Sequence, residues 1–330
     1  MKATVGILVT ALLVAACGGS SAPETGDQAG GAIVISGSST VEPVSARVAE
    51  TYGSERPELS ISVDGPGTGD GMKVFCAGQA DITGASRPIK EPEIETCNQN
   101  GVTFIEIPVA IDGLSVLTSH DNDLVACLAP ADLYALVGPE SIGFGTWGDA
   151  NDLAAELGAA NAPYPDVPLV ITGPGEESGT YDAFVEMVLE DIAEERSQEA
   201  ATRPDYTASA NDNVIIEGIS GSDTSLGWVG YAFYIANQDR VKALAIAGGE
   251  GCVEPTPETI ADGSYPLSRT LYIYVSVEKA QSKPEVADFV DFYLSDEGLK
   301  AVDDAGYVRL DDYDPSRQVW ETRTPGHREG

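Results

Sequence analysis

Apolar positions along the chain follow two periods. Alternating or continuous apolar runs predict strands at residues 32–36, 59–64, 102–108, 114–118, 167–172 and 271–277. A period near 3.6 predicts helices. Val44, Val48 and Tyr52 form one stripe, and Tyr181, Phe184, Val185, Val188 and Ile192 form another. Residues 129–137 and 284–305 read the same way, the latter with Val286, Phe289, Val290 and Tyr293 inward. Residues 72–77 and 91–97 predict shorter helices. Residues 213–219 fit either period. Residues 226–234 are dense in aromatics and read as core. Residues 144–164, which hold Trp147, show no clear period, and 322–330 predicts a disordered tail.

One local grammar recurs: a strand, a loop rich in glycine and hydroxyls, then a helix start. The fullest instance is Gly173-Pro-Gly-Glu-Glu-Ser-Gly-Thr-Tyr-Asp-Ala-Phe184. Unpaired N–H groups, the Ser178 and Thr180 hydroxyls and the positive end of a helix dipole would converge there, which suits an anion. The plainer reading is that Ser178 only caps the helix. Gly37-Ser-Ser-Thr40 follows the first strand and precedes Pro43, which suits a first helical turn. Gly65-Pro-Gly-Thr-Gly-Asp-Gly71 follows the second strand. It resembles a dinucleotide-binding glycine pattern, but its spacing is wrong, and no P-loop Lys-Ser/Thr follows a glycine. Nucleotide binding is excluded on that ground. What remains is backbone that a small ligand can approach closely. The last instance, Ala80-Asp-Ile-Thr-Gly-Ala-Ser-Arg-Pro88, places Ser86 and Arg87 just before a helix.

Charge narrows the partners. The chain of 330 residues carries 53 Asp and Glu against 18 Lys and Arg, a net charge of −35. No basic stripe is available for a phosphate backbone, so nucleic acid is excluded as a partner. The acidic residues are spread along the chain. Either a saline habitat or a generally acidic exported proteome accounts for such a surface. The length suffices for two domains with buried cores.

The N-terminus reads as an export signal. Lys2 precedes an apolar run over 3–16, too short to span a bilayer comfortably. It ends Leu13-Val-Ala-Ala-Cys17-Gly-Gly-Ser-Ser, small residues before a cysteine, which resembles a bacterial lipobox with Cys17 as the lipidated residue. Residues 1–16 are the expected signal peptide and 17–31 a flexible tether, on the order of 20 Å as a random coil. Cys76, Cys97, Cys127 and Cys252 remain, an even number that suggests two disulfides with three possible pairings. No spacing suggests zinc or another metal, and no cofactor is expected.

Taken in order, Ser36-Gly-Ser-Ser-Thr-Val-Glu-Pro43, Gly67-Thr-Gly-Asp-Gly71, Ala80-Asp-Ile-Thr-Gly-Ala-Ser-Arg-Pro-Ile89 and Glu177-Ser-Gly-Thr-Tyr-Asp-Ala-Phe184 resemble the phosphate-binding lipoproteins of bacterial high-affinity phosphate ABC transporters, the Pst system. Further likeness runs through Asn211-Asp-Asn-Val214, 226–234 and Gly306-Tyr-Val-Arg-Leu310. No single motif is specific; the ordered set is. The resemblance implies an α/β, two-domain periplasmic-binding-protein (type II) fold with a ligand cleft between domains. Domain I would be discontinuous, 32–115 and 271–330, and domain II would be 116–270. Inorganic phosphate would be bound by Ser39, Thr40, Thr68, Ser86, Arg87, Ser178, Gly179 and Thr180. Much of the family has Asp where this chain has Arg87, so the resemblance does not say which carboxylate accepts the proton of phosphate. Asp70, between two glycines, is the first candidate, followed by Glu176 and Asp212. The implied partners are a membrane permease of the transporter and a lipid anchor. The implied state is an exported monomer, held at the outer face of the cytoplasmic membrane or in the periplasm.

A binding protein for sulfate or molybdate would use the same fold. A serine hydrolase is disfavoured: no Gly-x-Ser-x-Gly occurs, and the only histidines are His120 and His327. A purely structural surface lipoprotein would make four anion-suited loops a coincidence. The predicted disulfides are Cys76–Cys97, closing a local loop between short helix and strand, and Cys127–Cys252, tying the start of the second domain to a later loop.

Overall fold

A computed structural model describes residues 31–176, 178–249 and 251–327. The expected signal peptide, Cys17 and most of the expected tether lie outside them. Twelve strands are described: β1 (Ala32–Ser36), β2 (Ser60–Asp64), β3 (Ile82–Ala85), β4 (Phe104–Ser119), β5 (Cys127–Leu128), β6 (Val170–Gly173), β7 (Thr207–Ala208), β8 (Ser225–Gly230), β9 (Val241–Ala243), β10 (Ala245–Gly248), β11 (Gly251–Val253) and β12 (Ser268–Ser276). The main sheet runs β2-β1-β3-β12-β4-β8-β6-β7, with β9 also on β4. A small sheet runs β11-β10-β5. Helices α1 (Glu42–Ser54), α2 (Thr68–Cys76) and α3 (Glu91–Gln99) follow the first three strands in turn.

The curled sheet passes through two lobes, and β4 is its spine. Its first part pairs with β12 as far as Gly113↔Ser268, then Leu114 to Leu117 pair with β8. The sequence predicts two strands, 102–108 and 114–118, the second preceded by Asp112-Gly113. The structure joins them, because Asp112 and Gly113 keep their places in the ladder with Arg269 and Ser268. Gly113 packs against the Ile260 side chain: a Cβ would come 2.8 Å from Ile260 Cδ1, so that side chain would have to shift. Each lobe has its own apolar core. On one side Ile33, Ile107, Ile273, Phe289 and Trp320 cluster, and on the other Leu133, Trp147, Phe184, Trp228 and Ile246. The aromatic stretch is split between β8 and a helix, Tyr231–Ile235, with Trp228 stacked on Phe184 at 4.3 Å.

Two further helical expectations change, and one open reading resolves. Residues 284–305 form two helices, Pro284–Tyr293 and Lys300–Asp304, rather than one. Gly298 lies so close to the Phe292 carbonyl that a Cβ would come within 2.1 Å of it, so the chain turns there. The stripe beginning at Tyr181 is interrupted. Continuing in order, α4 (Pro130–Val137), α5 (Asn151–Glu156) and α6 (Gly179–Phe184) are followed by a π turn at Val185–Leu189 and then α7 (Glu190–Glu195). A π turn inserts one residue into the period. Burial accordingly moves on to Leu189 and Ala193, leaving Ile192 half-buried. The ambiguous segment 213–219 is helical, α8 (Asp212–Ser220).

The tail is ordered through His327. A helix at Asp314–Glu321 buries Trp320, and the Gly326 N–H donates to the Phe104 carbonyl at 3.0 Å. His327 Nδ1 lies 2.6 Å from Glu106 Oε2, whose carboxylate also accepts from Tyr274 Oη. This corrects the disordered reading for 322–327: backbone pairing to β4, invisible in local composition, holds the segment. Disulfides join Cys76 to Cys97 between α2 and α3, and Cys127 to Cys252 between β5 and β11. Among the described residues no helix is long and apolar enough to cross a membrane, and no side-chain group could hold a metal ion.

Candidate functional site

The loops after β1, β2 and β3 meet backbone to backbone. A Cβ on Gly37 would lie 2.2 Å from the Gly84 carbonyl oxygen, and one on Gly71 would lie 2.3 Å from Gly37 Cα. Only glycine permits such an approach. The result is a compact donor surface whose hydroxyls are already ordered. Thr68 Oγ1 lies 3.0 Å from Ser86 Oγ and accepts from the Ser86 N–H at 3.2 Å. Thr40, Thr68 and Ser86 are all buried; Ser39 is half-buried at the rim.

The second lobe meets this surface with the loop and helix that begin at Ser178. Ser178 is the N-cap of α6, its Oγ accepting from the Thr180 N–H at 3.2 Å. Gly179 abuts the first lobe: a Cβ there would be 3.2 Å from the Ser39 carbonyl oxygen. Ser39 Oγ donates across the cleft to Asp182 Oδ2 at 2.5 Å, and Ser86 Oγ donates to Glu186 Oε2 at 3.1 Å. The four loops singled out in the sequence therefore face one another. Alongside lies a cavity of about 620 Å³, lined by Gly67, Thr68, Ser86, Arg87, Asp182, Glu186 and Arg269 among others; Ser39, Thr40, Ser178, Gly179 and Thr180 are not among its lining residues.

Arg269, at the start of β12, is the largely buried cation of the site, its side chain 12 % exposed. Its Nε donates to Asp112 Oδ2 at 3.3 Å, its Nη2 to Thr40 Oγ1 at 3.1 Å, and its Nη1 pairs with Glu186. Burial opposes the charge on Arg269, but Asp112 and Glu186 more than offset it and hold its pKa above the ordinary value. Burial dominates at Asp112 and pushes that carboxyl upward despite Arg269.

The other sequence candidates are placed as follows. Arg87 stands in the cavity wall, its guanidinium forked onto Glu93 at 2.8 and 2.9 Å. That bond raises the Arg87 pKa, burial opposing it. Asp70 turns outward to Lys73 Nζ at 2.7 Å, with 64 % of its side chain exposed. Glu176 is exposed, and Asp212 begins α8, where burial raises its pKa; neither is among the residues lining the cavity.

Sequence reasoning missed Asp182, Glu186 and Arg269. The spacing of Asp182 and Glu186, one turn apart after a hydroxyl loop, is a usable signal. In so acidic a chain it is masked by the many carboxylates that simply face water. Arg269 carries no local signal, since only the return of β12 to β4 brings it to the cleft.

Comparison with known proteins identifies the family. Residues 22–297 match the PBP superfamily domain. The protein SphX of Synechococcus elongatus is 37 % identical over 280 residues, covering 84 % of this chain and 77 % of that protein. The phosphate-binding protein PstS of Staphylococcus saprophyticus is 33 % identical over 310 residues, covering 93 % and 89 % respectively. The chain belongs to the PBP superfamily and, within it, to the PstS phosphate-binding-protein family. In fold, this family member is similar to a crystal structure of a possible phosphate-binding protein from Planctomyces limnophilus. That match has a TM-score of 0.76 and 37 % identity, covering 88 % of this chain and 95 % of that one.

Proposed function

We propose that the chain captures inorganic phosphate in the cleft between its lobes and delivers it to the permease of an ABC transporter. The observation that carries this reading is the gathering of first-lobe hydroxyl and N–H donors beside Arg269, faced by Asp182 and Glu186 of the second lobe. A tetrahedral oxyanion needs donors from several directions, and charge-assisted hydrogen bonds of this kind are the strong ones. The family membership of the chain supports the same ligand. Ser39, Thr40, Thr68, Ser86, Arg87, Ser178, Gly179 and Thr180 are the proposed donors, with Arg269 added from the structure. No chemistry is assigned: the chain binds and releases. The division into 32–115 with 271–330 and 116–270 belongs to this reading, supported by the two separate cores.

Export and lipidation at Cys17 complete the proposal, and a monomer suffices for it. A single acyl chain anchors only marginally, so the mature N-terminus would carry more than one. Calorimetric titration of the purified protein with phosphate, sulfate and molybdate tests the ligand. Tight phosphate binding with weak sulfate and molybdate binding is expected, and the reverse order would reassign the protein to another oxyanion. Membrane fractionation of Cys17→Ser tests the anchor: this variant should be soluble or unprocessed.

A further inference from the structure

The loop that presents Ser86 and Arg87 is held from behind. Ile89, just past Arg87, is buried, and its N–H donates to Tyr274 Oη at 2.9 Å. Tyr274 Oη donates to Glu106 Oε2 at 2.9 Å, and that same oxygen lies 2.6 Å from His327 Nδ1. An ionised carboxylate only accepts, so Nδ1 carries the hydrogen of the last bond. A chain of hydrogen bonds thus runs from the C-terminal segment, through the sheet, to the donor loop. Sheet register makes it possible. Tyr274 on β12 pairs with Glu106 on β4 and with Thr83 on β3, so the Tyr274 and Glu106 side chains leave one face side by side. β3 then runs straight into Ser86.

Burial sharpens the point. Glu106 is buried, and Tyr274 is fully buried beside Phe104, whose ring meets it edge-on at 5.6 Å. Burial first, and then the Glu106 carboxylate, raise the Tyr274 pKa, so the hydroxyl keeps its proton and stays a donor. A carboxylate in such a place contributes little stability, because lost hydration opposes it. What it contributes is a fixed direction: a buried polar chain whose members are all bonded rigidifies what it touches. Here it touches Ile89. The Ser86 N–H is tied to Thr68 Oγ1 and Arg87 to Glu93, so the bond at Ile89 fastens the far end of the same short segment.

We propose that His327, Glu106 and Tyr274 are positioning residues of the anion site. The C-terminal segment, paired to β4 through Gly326, brings His327 to Glu106; Glu106 orients Tyr274; and Tyr274 holds Ile89, and with it the Ser86–Arg87 loop. The ligand in this inference is that of the phosphate-binding reading above. None of the three residues lines the cavity, so each acts through Ile89 rather than on the anion. A loop left loose must be ordered each time ligand binds, and that ordering is subtracted from affinity. The effect of a substitution should therefore decline along the chain, from Tyr274, which bonds the loop itself, to His327, which is farthest from it.

The test is phosphate calorimetry on the full mature chain, at a temperature where every variant is folded, joined to amide exchange without ligand. Tyr274→Phe leaves the buried Ile89 N–H without its acceptor and should weaken phosphate binding about tenfold or more. His327→Ala should weaken it about threefold, and His327→Asn, whose amide can donate from the Nδ1 position, should restore it. The His327 pair carries the test alone should Tyr274→Phe not fold. Tyr313→Phe is the control. Tyr313 Oη donates to the Val109 carbonyl at 2.8 Å, a buried bond between β4 and the C-terminal region that leads to no donor loop. Its loss should lower the melting temperature and leave affinity unchanged. Amide exchange at Ser86, Arg87 and Ile89 should quicken in Tyr274→Phe, and exchange at Ser39 and Thr40 should not. Parent-like affinity in Tyr274→Phe or His327→Ala, or an equal loss in Tyr313→Phe, overturns the inference while leaving phosphate binding intact. A parent that binds no phosphate overturns the proposed function, and amide exchange then decides the positioning role alone: unchanged exchange at Ser86 and Arg87 overturns it.

Discussion

Ser39, Thr40, Thr68 and Ser86 stand on loops that follow three adjacent strands, whereas Asp182 and Glu186 stand on one helix. The first wall is all donors, and its loops are fastened to each other by glycine contacts at Gly37, Gly71 and Gly84. The second wall adds acceptors, and the helix that carries them contains a π turn. Arg269 joins the two, reaching Thr40 on one side and Glu186 on the other. The difference teaches how a protein of net charge −35 can hold an anion. On the proposed reading, the neutral donors of the first wall grip the anion and the largely buried Arg269 guanidinium supplies charge. Debye screening, over about 10 Å at 0.1 M salt, removes most of the repulsion from the distant surface.

The largest effect should separate the lobes by their cross-links. In the chain-entropy account, stabilisation grows with the loop closed. Cys127–Cys252 spans 125 residues and Cys76–Cys97 spans 21. Replacing both cysteines of the first pair by alanine should cost about 5 kcal/mol, and of the second about 3 kcal/mol. Urea denaturation of the two double variants measures this, and equal losses would show that native packing rather than loop length sets the contribution.

Removing the joining cation comes next. Arg269→Met leaves Asp112 buried without its partner, so a loss of about 3–5 kcal/mol in stability is expected. Phosphate binding should fall more than a hundredfold. Arg87→Ala removes a half-buried pair with Glu93 and should weaken phosphate binding less than tenfold. Calorimetry that ranks the two arginines the other way would shift the charge centre of the site to Arg87.

A smaller effect tests the second lobe alone. Arg203 is buried, and Asp205 takes two hydrogen bonds from it at 2.6 and 2.8 Å, holding the Asp205 carboxyl down at about 2. Because the folded pKa is depressed, the pair's contribution is present in full above the unfolded value, near 3.8, and is lost as pH falls towards 2. Asp205 is 37 % exposed, so solvent screening keeps that contribution at about 1–2 kcal/mol. Stability measured at pH 7 and pH 2.5 should drop less for Asp205→Asn than for the parent. An identical drop would mean that other carboxylates account for it.

The smallest effect addresses closure. Gly179→Ala places a methyl 3.2 Å from the Ser39 carbonyl oxygen, close enough to prise the walls apart by a few tenths of an ångström. Phosphate affinity should fall a few-fold with the melting temperature unchanged. Unaltered affinity would place the Gly179–Ser39 contact outside the closed, liganded state.

The sequence by itself determined the strands, the hydroxyl loops that follow them and the family to which they belong. Each of these is written within a few residues: an apolar run, a glycine where backbones must touch, a serine before a helix. It also determined that Ser39, Thr40, Thr68, Ser86 and Ser178 carry donors, because a strand–loop–helix unit presents its hydroxyls and N–H groups at one end whatever surrounds it. Tertiary structure decided the rest. Asp112 and Gly113 look like a break until Arg269 and Ser268, more than 150 positions away, complete their ladder. Residues 322–327 look like a loose end until β4 offers them a backbone partner. Asp70 looks like a ligand because of its glycines, yet its helix turns it outward to Lys73. Arg269, Asp182 and Glu186 look like three of many surface charges. Whether a charge faces water or a cleft depends on which element lies opposite, and that is settled only when strands distant in sequence pair and bring the two walls together.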